Sequence, residues 1–214
     1  MQRVYFISGL GADKRAFNFL DLSFCNPVFI DWIQPLAKET LQQYALRMYQ
    51  QIPETNPIVV GLSFGGMLTT EMAKANPKMQ AIIISSNKAH DEFPTLLKIG
   101  KIIPAYKWVP GSITKKINKT LSWFLGVKGT EQKRLRQSLI QDSDPVFTKW
   151  AIEAIMYWPN KTIPANLTHI HGTADKLLPY RYVKAADYTI EGGEHLMVMD
   201  KANEISALLK KLIA

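Results

Sequence analysis

Ile58-Val59-Val60-Gly61-Leu62-Ser63-Phe64-Gly65-Gly66-Met67-Leu68 is the stretch that decides the fold. Ile58 to Leu62 is a short apolar run with β-branched residues, as expected of a buried strand. Phe64, Met67, Leu68, Met72 and Ala75 then recur at helical spacing, and Asn76-Pro77 stops the helix. Ser63 therefore sits on a sharp turn between strand and helix. Such a turn forces an unfavourable backbone conformation, and Gly61 and Gly65 leave room where a β-carbon would collide with the neighbouring element. The positive end of the following helix favours negative charge near Ser63. The bland alternative is a helix N-cap, but a cap does not need flanking glycines.

A serine hydroxyl needs a base, and the base needs an acid partner to hold its tautomer. Two later turns offer them. Leu167-Thr168-His169-Ile170-His171 reads as a strand, with Asp175 in the loop after it. Asp187-Tyr188-Thr189-Ile190 reads as the next strand, and the Gly192-Gly193 turn leads to His195. Of the four histidines, His169 and His171 alternate on a strand and His90 enters a different region, so His195 is the expected base. Asp175 has the simpler alternative of capping its turn. Asp187 and Asp200 are less well placed, one inside a strand and one beyond the base.

Acyl transfer also requires two N–H groups aimed where the carbonyl oxygen turns negative. One is expected from Phe64, the residue after the nucleophile. The other is expected from the Ser8-Gly9-Leu10-Gly11 loop after the strand Val4-Tyr5-Phe6-Ile7, with Leu10 first and Gly11 second. The alternative there is a glycine turn into a helix capped near Asp13.

These three turns, in the order Ser63, Asp175, His195, make the chain resemble the α/β-hydrolase superfamily, of the esterase and lipase-like kind with a lid. The resemblance covers nearly the whole chain. It implies Ser63 as nucleophile, His195 as base, Asp175 as acid partner, and Leu10 and Phe64 as oxyanion donors. Many members carry His-Gly where this chain has Ser8-Gly9, and most have two further strands before that point. The resemblance thus implies a shortened sheet.

Strands are predicted at about 4–8, 28–31, 57–62, 81–86, 167–171 and 187–190, with helical patterns between most of them. The alternation implies an α/β fold: a mostly parallel sheet of about six strands with helices on both faces. Ligands in such sheets bind beyond the carboxyl ends of the strands, where all three candidate catalytic residues fall. From Ser86 to about Thr162 no good strand is visible. Helices are predicted over 131–141 and from Asp144-Pro145 onward. The expected organisation is a core of 1–86 and 162–214 with an inserted helical cap at 87–161.

Four of the five tryptophans, Trp108, Trp123, Trp150 and Trp158, lie in that insert and are candidates for an apolar wall facing the nucleophile. Packing the cap onto the body is the alternative for each. Between Lys88 and Glu153 stand twelve Lys or Arg against six acids, most of the formal charge of +8. That basic face either keeps the protein in solution or attracts an anionic partner, such as an acidic acyl-carrier protein. No nucleic-acid motif accompanies the charge.

One cysteine, Cys25, excludes an internal disulfide and fits a reducing cytoplasm. The beginning of the chain is too quickly polar for a signal peptide, no apolar run is long enough for a membrane span, and no metal-ligand or phosphate-cradling motif is visible. The expected activity is cofactor-free serine hydrolysis of a small to medium carboxylic ester or thioester. The alternatives are a ligand-binding protein without turnover and a hydrolase of carrier-linked esters.

Overall fold

The computed structural model describes residues 1–94, 125–126 and 129–213. Six strands form one sheet: β1 (Arg3–Ile7), β2 (Asn26–Phe29), β3 (Ile58–Leu62), β4 (Gln80–Ile84), β5 (Leu167–Gly172) and β6 (Tyr188–Ile190). Their spatial order is β2-β1-β3-β4-β5-β6, and every pair is parallel. Among the described residues the α-helices are α1 (Leu41–Tyr49), α2 (Phe64–Ala75), α3 (Thr130–Asp142), α4 (Pro145–Tyr157), α5 (Met197–Asp200) and α6 (Ala202–Ile213).

Alternation along each strand sorts side chains onto the two faces. Val4, Phe6, Ile58, Val60 and Leu62 enter one core, shared with Ile205 and Leu209 of α6. Tyr5, Ile7 and Val59 enter the other, shared with Tyr44 of α1, Leu68 of α2 and Phe147 of α4. Both faces are thus covered by helices, as a buried parallel sheet requires.

The strand boundaries differ from the predicted ones by one or two residues, for local reasons. β4 stops at Ile84 because Ser85 takes a left-handed conformation (φ 48°). β1 stops at Ile7, after which the Ser8 hydroxyl turns in to donate to the Ala12 carbonyl (2.9 Å). β2 begins at Asn26 and includes Pro27, which is tolerated because β2 is an edge strand.

Thr40 forms a reciprocal capping box with Gln43 at the start of α1. Asp144 accepts the backbone N–H groups of Val146 and Phe147 at the start of α4, with Pro145 in its first turn. Cys25 is buried.

The strand order reverses between β1 and β3: from β1 the chain moves outward to β2, then crosses to the other side. Loops after β1 and β3 therefore part at this point, leaving a crevice beyond the carboxyl ends. Ser8 to Gly11 follow β1 there and Ser63 follows β3.

Candidate active site

Ser63 sits at φ 52°, ψ −117°, outside the regions ordinary residues favour. Its surroundings over-determine that conformation. Its N–H donates to the Ile84 carbonyl (2.9 Å), and its own carbonyl accepts from the Ser86 hydroxyl (2.7 Å) and the Gly66 N–H (2.9 Å). A β-carbon on Gly61 would lie 2.3 Å from the Thr69 hydroxyl, and one on Gly65 would lie 2.4 Å from the carbonyls of Ile7 and Ser8. The two glycines thus let the turn close against α2 and β1. Holding a residue in such a conformation costs about 1–3 kcal/mol.

The three side chains expected from the sequence meet. The Ser63 hydroxyl is 2.9 Å from His195 Nε2, and His195 Nδ1 is 2.8 Å from Asp175 Oδ2. His195 and Asp175 are both buried. The other carboxylate oxygen, Oδ1, accepts the backbone N–H groups of Leu177 (2.9 Å) and Leu178 (2.8 Å). Burial works against the charge of Asp175, but His195, the Leu178 N–H and His171 together hold its carboxyl below the usual range. Asp175 therefore carries a negative charge at neutral pH and receives the Nδ1–H of His195. That leaves the Nε2 lone pair turned to Ser63. Gly172 and Gly193 bring the acid and base turns together: a β-carbon on Gly172 would lie 2.1 Å from the Gly193 carbonyl.

Phe64 is the first residue of α2, so its N–H has no partner within the helix. The loop after β1 is folded on itself, with the Ala12 N–H donating to the Gly9 carbonyl (3.0 Å). Gly9 approaches Ser63 so closely that a β-carbon would stand 3.3 Å from that of the serine. Leu10, Gly11 and Phe64 border the same cavity as Ser63 and His195.

That cavity has a volume of about 380 Å³, within the usual range for small-molecule sites. Its walls are mostly apolar, with Met67 from α2, Phe93 from the segment after β4, and Leu139, Ile152 and Met156 from α3 and α4. Arg136 of α3 reaches the same wall. Burial lowers its pKa, and the neighbouring charge of Asp200 acts the other way.

The tryptophans expected in the wall behave otherwise. Trp150 donates to the Glu39 carbonyl (3.0 Å) and packs its ring on Tyr44 at 4.4 Å. Trp158 is buried, donates to Glu71 Oε1 (2.6 Å) and meets Phe93 edge-on. Neither borders the cavity; both fasten α4 to the body. Trp108 and Trp123 lie outside the described residues, as do Lys115, Lys116 and Lys119 of the basic segment.

The sequence reading passed over two residues that touch this site. His171, assigned only to a strand, has its Nε2 3.6 Å from Asp175 Oδ2. Ser86, taken only as a strand end, anchors the Ser63 carbonyl. The available signal was a pair of histidines at alternate positions of a buried strand.

Among the described residues, no group of three or more His, Cys, Asp or Glu side chains is arranged to hold a metal ion, and no helix is long and apolar enough to cross a membrane.

No protein-family model and no curated protein matches the sequence. Solved structures do match it in fold. A thermophilic esterase from Thermogutta terrifontis superposes with a TM-score of 0.73 at 16% identity, over 100% of this chain and 89% of its own. A lipase-esterase related protein from Clostridium acetobutylicum gives 0.72 at 17%, over 99% and 94%. The epoxide hydrolase of Bacillus megaterium gives 0.73 at 10%, over 100% and 93%. The chain has the α/β-hydrolase fold, a scaffold on which different chemistries are built.

Proposed function

We propose that this protein is a serine hydrolase of carboxylic esters, with Ser63 as nucleophile, His195 as general base and Asp175 as its acid partner. The observation that carries the reading is the unbroken hydrogen-bonded chain from the Ser63 hydroxyl through both nitrogens of His195 to Asp175. The strained conformation of Ser63 adds to it, since strain kept at a polar residue that borders a cavity is a mark of function.

Ser63 Oγ attacks the acyl carbon while its proton passes to His195 Nε2. The imidazolium that forms is stabilised by the fixed carboxylate of Asp175. The carbonyl oxygen becomes negative at the N-terminus of α2, where the N–H groups of Phe64 and Leu10 donate hydrogen bonds to it. One such donor is worth about 2.7–4 kcal/mol in the transition state. His195 then gives its proton to the departing alcohol, and water activated by the same imidazole releases the acyl group from Ser63.

The apolar cavity favours an acyl or alkyl group of modest length over a charged one. Residues 87–161 serve as a cap in this reading, because α3 and α4 supply part of the cavity wall while the turns after β3, β5 and β6 supply the reacting groups. Epoxide-hydrolase neighbours show that the fold alone does not select esters. A hydroxyl nucleophile beside N–H donors suits attack on a carbonyl, whose oxygen must be stabilised as it gains charge.

The test is hydrolysis of p-nitrophenyl esters over a range of acyl lengths by wild type and Ser63→Ala. The variant should lose about 10⁴- to 10⁶-fold in kcat. Equal rates in the two proteins would overturn the assignment.

A further inference from the structure

We propose that His171 is a positioning residue for Asp175, holding the acid's turn and its proton order from behind, with His169 as its support. The proposal rests on the triad reading above.

His169 and His171 lie two apart on β5, so they share a face of the sheet, and both are fully inaccessible to solvent. With both rings neutral, their hydrogen bonds admit one arrangement of protons. His171 Nε2 is 2.8 Å from the Leu178 carbonyl, which only accepts, so that nitrogen carries the hydrogen. In the neutral ring Nδ1 is then a bare acceptor, and it receives the Nε2–H of His169 at 3.1 Å. His169 is left with its Nδ1 unprotonated and buried.

Leu178 links this pair to the acid. Its carbonyl accepts from His171, and its N–H donates to Asp175 Oδ1 at 2.8 Å. Asp175 Oδ2 lies between two imidazoles, 2.8 Å from His195 Nδ1 and 3.6 Å from His171 Nε2. A neutral His171 directs its N–H at Leu178 and leaves Oδ2 to His195. A charged His171 would pull the carboxylate toward itself and loosen its hold on the base.

The surroundings keep the pair neutral. Burial is the main cause, and it places His169 well below the usual imidazole range and His171 below it. The Lys88 ammonium acts in the same direction on both rings. It is held by the Ala185 carbonyl (2.8 Å) and stands 3.8 Å from Glu92. Asp175 and the Leu178 carbonyl oppose these effects on His171 and the Ser86 backbone opposes them on His169, while His195 adds to them on His171. The Tyr180 ring packs against His171 on the remaining side, 6.3 Å away.

Nitrogen-15 NMR of wild-type protein labelled at histidine reads the proton order without any activity. Both rings should be neutral at pH 7, with the hydrogen on Nε2. An Nδ1–H tautomer or an imidazolium at His171 would overturn the proposal. Two variants test its consequence. His171→Gln keeps an N–H donor near the place of Nε2, and His171→Phe keeps a flat ring without one. With Asp175 misplaced, His171→Phe should lose about 10- to 100-fold in kcat with KM little changed. The acid limb of its kcat/KM profile should move to lower pH, because charged His195 is less well stabilised. His171→Gln should keep that limb in place. A folded His171→Phe with wild-type kcat and an unmoved limb would reduce His171 to a packing role. Failure of Ser63→Ala to affect turnover would remove the triad reading alone, since the tautomers are measured independently of it.

Discussion

Replacing Asp175 with Asn changes one oxygen to an amide and should nearly abolish turnover. Two backbone N–H groups, from Leu177 and Leu178, point at Oδ1. The Asn carbonyl oxygen must face them, which turns the NH₂ group toward His195 Nδ1. That nitrogen then becomes an acceptor, the imidazole proton moves to Nε2, and no lone pair is left for the Ser63 hydroxyl. Flipping the amide would restore the base but set NH₂ against two buried N–H donors, at about 1–3 kcal/mol for each. The productive orientation is thus disfavoured by about 2–6 kcal/mol, and the charge that steadied the imidazolium is also gone. The expected loss is about 10⁴-fold in kcat, or about 5 kcal/mol of transition-state stabilisation. The assay is steady-state hydrolysis of the best p-nitrophenyl ester, on protein shown to melt cooperatively. A folded variant that loses less than about tenfold would refute the tautomer reasoning.

Three further outcomes follow from the packing. The histidine pair should make stability fall in acid: both rings stay neutral when folded, with pKa values below 6.5, while the unfolded chain takes protons as pH drops through about 6.5. The urea midpoint should therefore decline between about pH 7 and 5, and a midpoint that holds or rises would contradict this. Gly65→Ala drives a β-carbon onto two backbone carbonyls at 2.4 Å and should cost about 4 kcal/mol or more. Gly192→Ala, with a φ of 65° but open space around it, should cost only about 1 kcal/mol, so urea unfolding of the two separates collision from backbone strain. Trp158→Phe strands Glu71 Oε1 and should lower stability by about 1–3 kcal/mol while leaving kcat on a small ester unchanged. A large loss of kcat at full stability would return Trp158 to the substrate wall.

The turn at Ser63 was legible because its chemistry is local: strand, glycine, serine, glycine and helix follow one another within a few residues. The same holds for the cap at Asp144, which needs only neighbours two and three residues away. Strand ends were less legible. Where β4 stops depends on the left-handed turn at Ser85, and the edge position of β2 makes room for Pro27. The roles of Trp150 and Trp158 depend on Glu39 and Glu71, each more than eighty residues away, so their spacing on a helix does not separate packing from substrate contact. His171 escaped notice for the opposite reason. It stands four residues from Asp175, but only the fold of the Leu177-Leu178 turn brings it behind the carboxylate.

The most direct measurement is covalent labelling with a fluorophosphonate, followed by mass spectrometry of the digested protein. The reagent needs an activated serine hydroxyl and does not depend on knowing the substrate. The account predicts a single adduct on the peptide that contains Ser63, absent in Ser63→Ala and strongly slowed in Asp175→Asn. An intact, folded protein that takes no label, or takes it at another residue, would contradict the claim that Ser63, His195 and Asp175 form a working nucleophile.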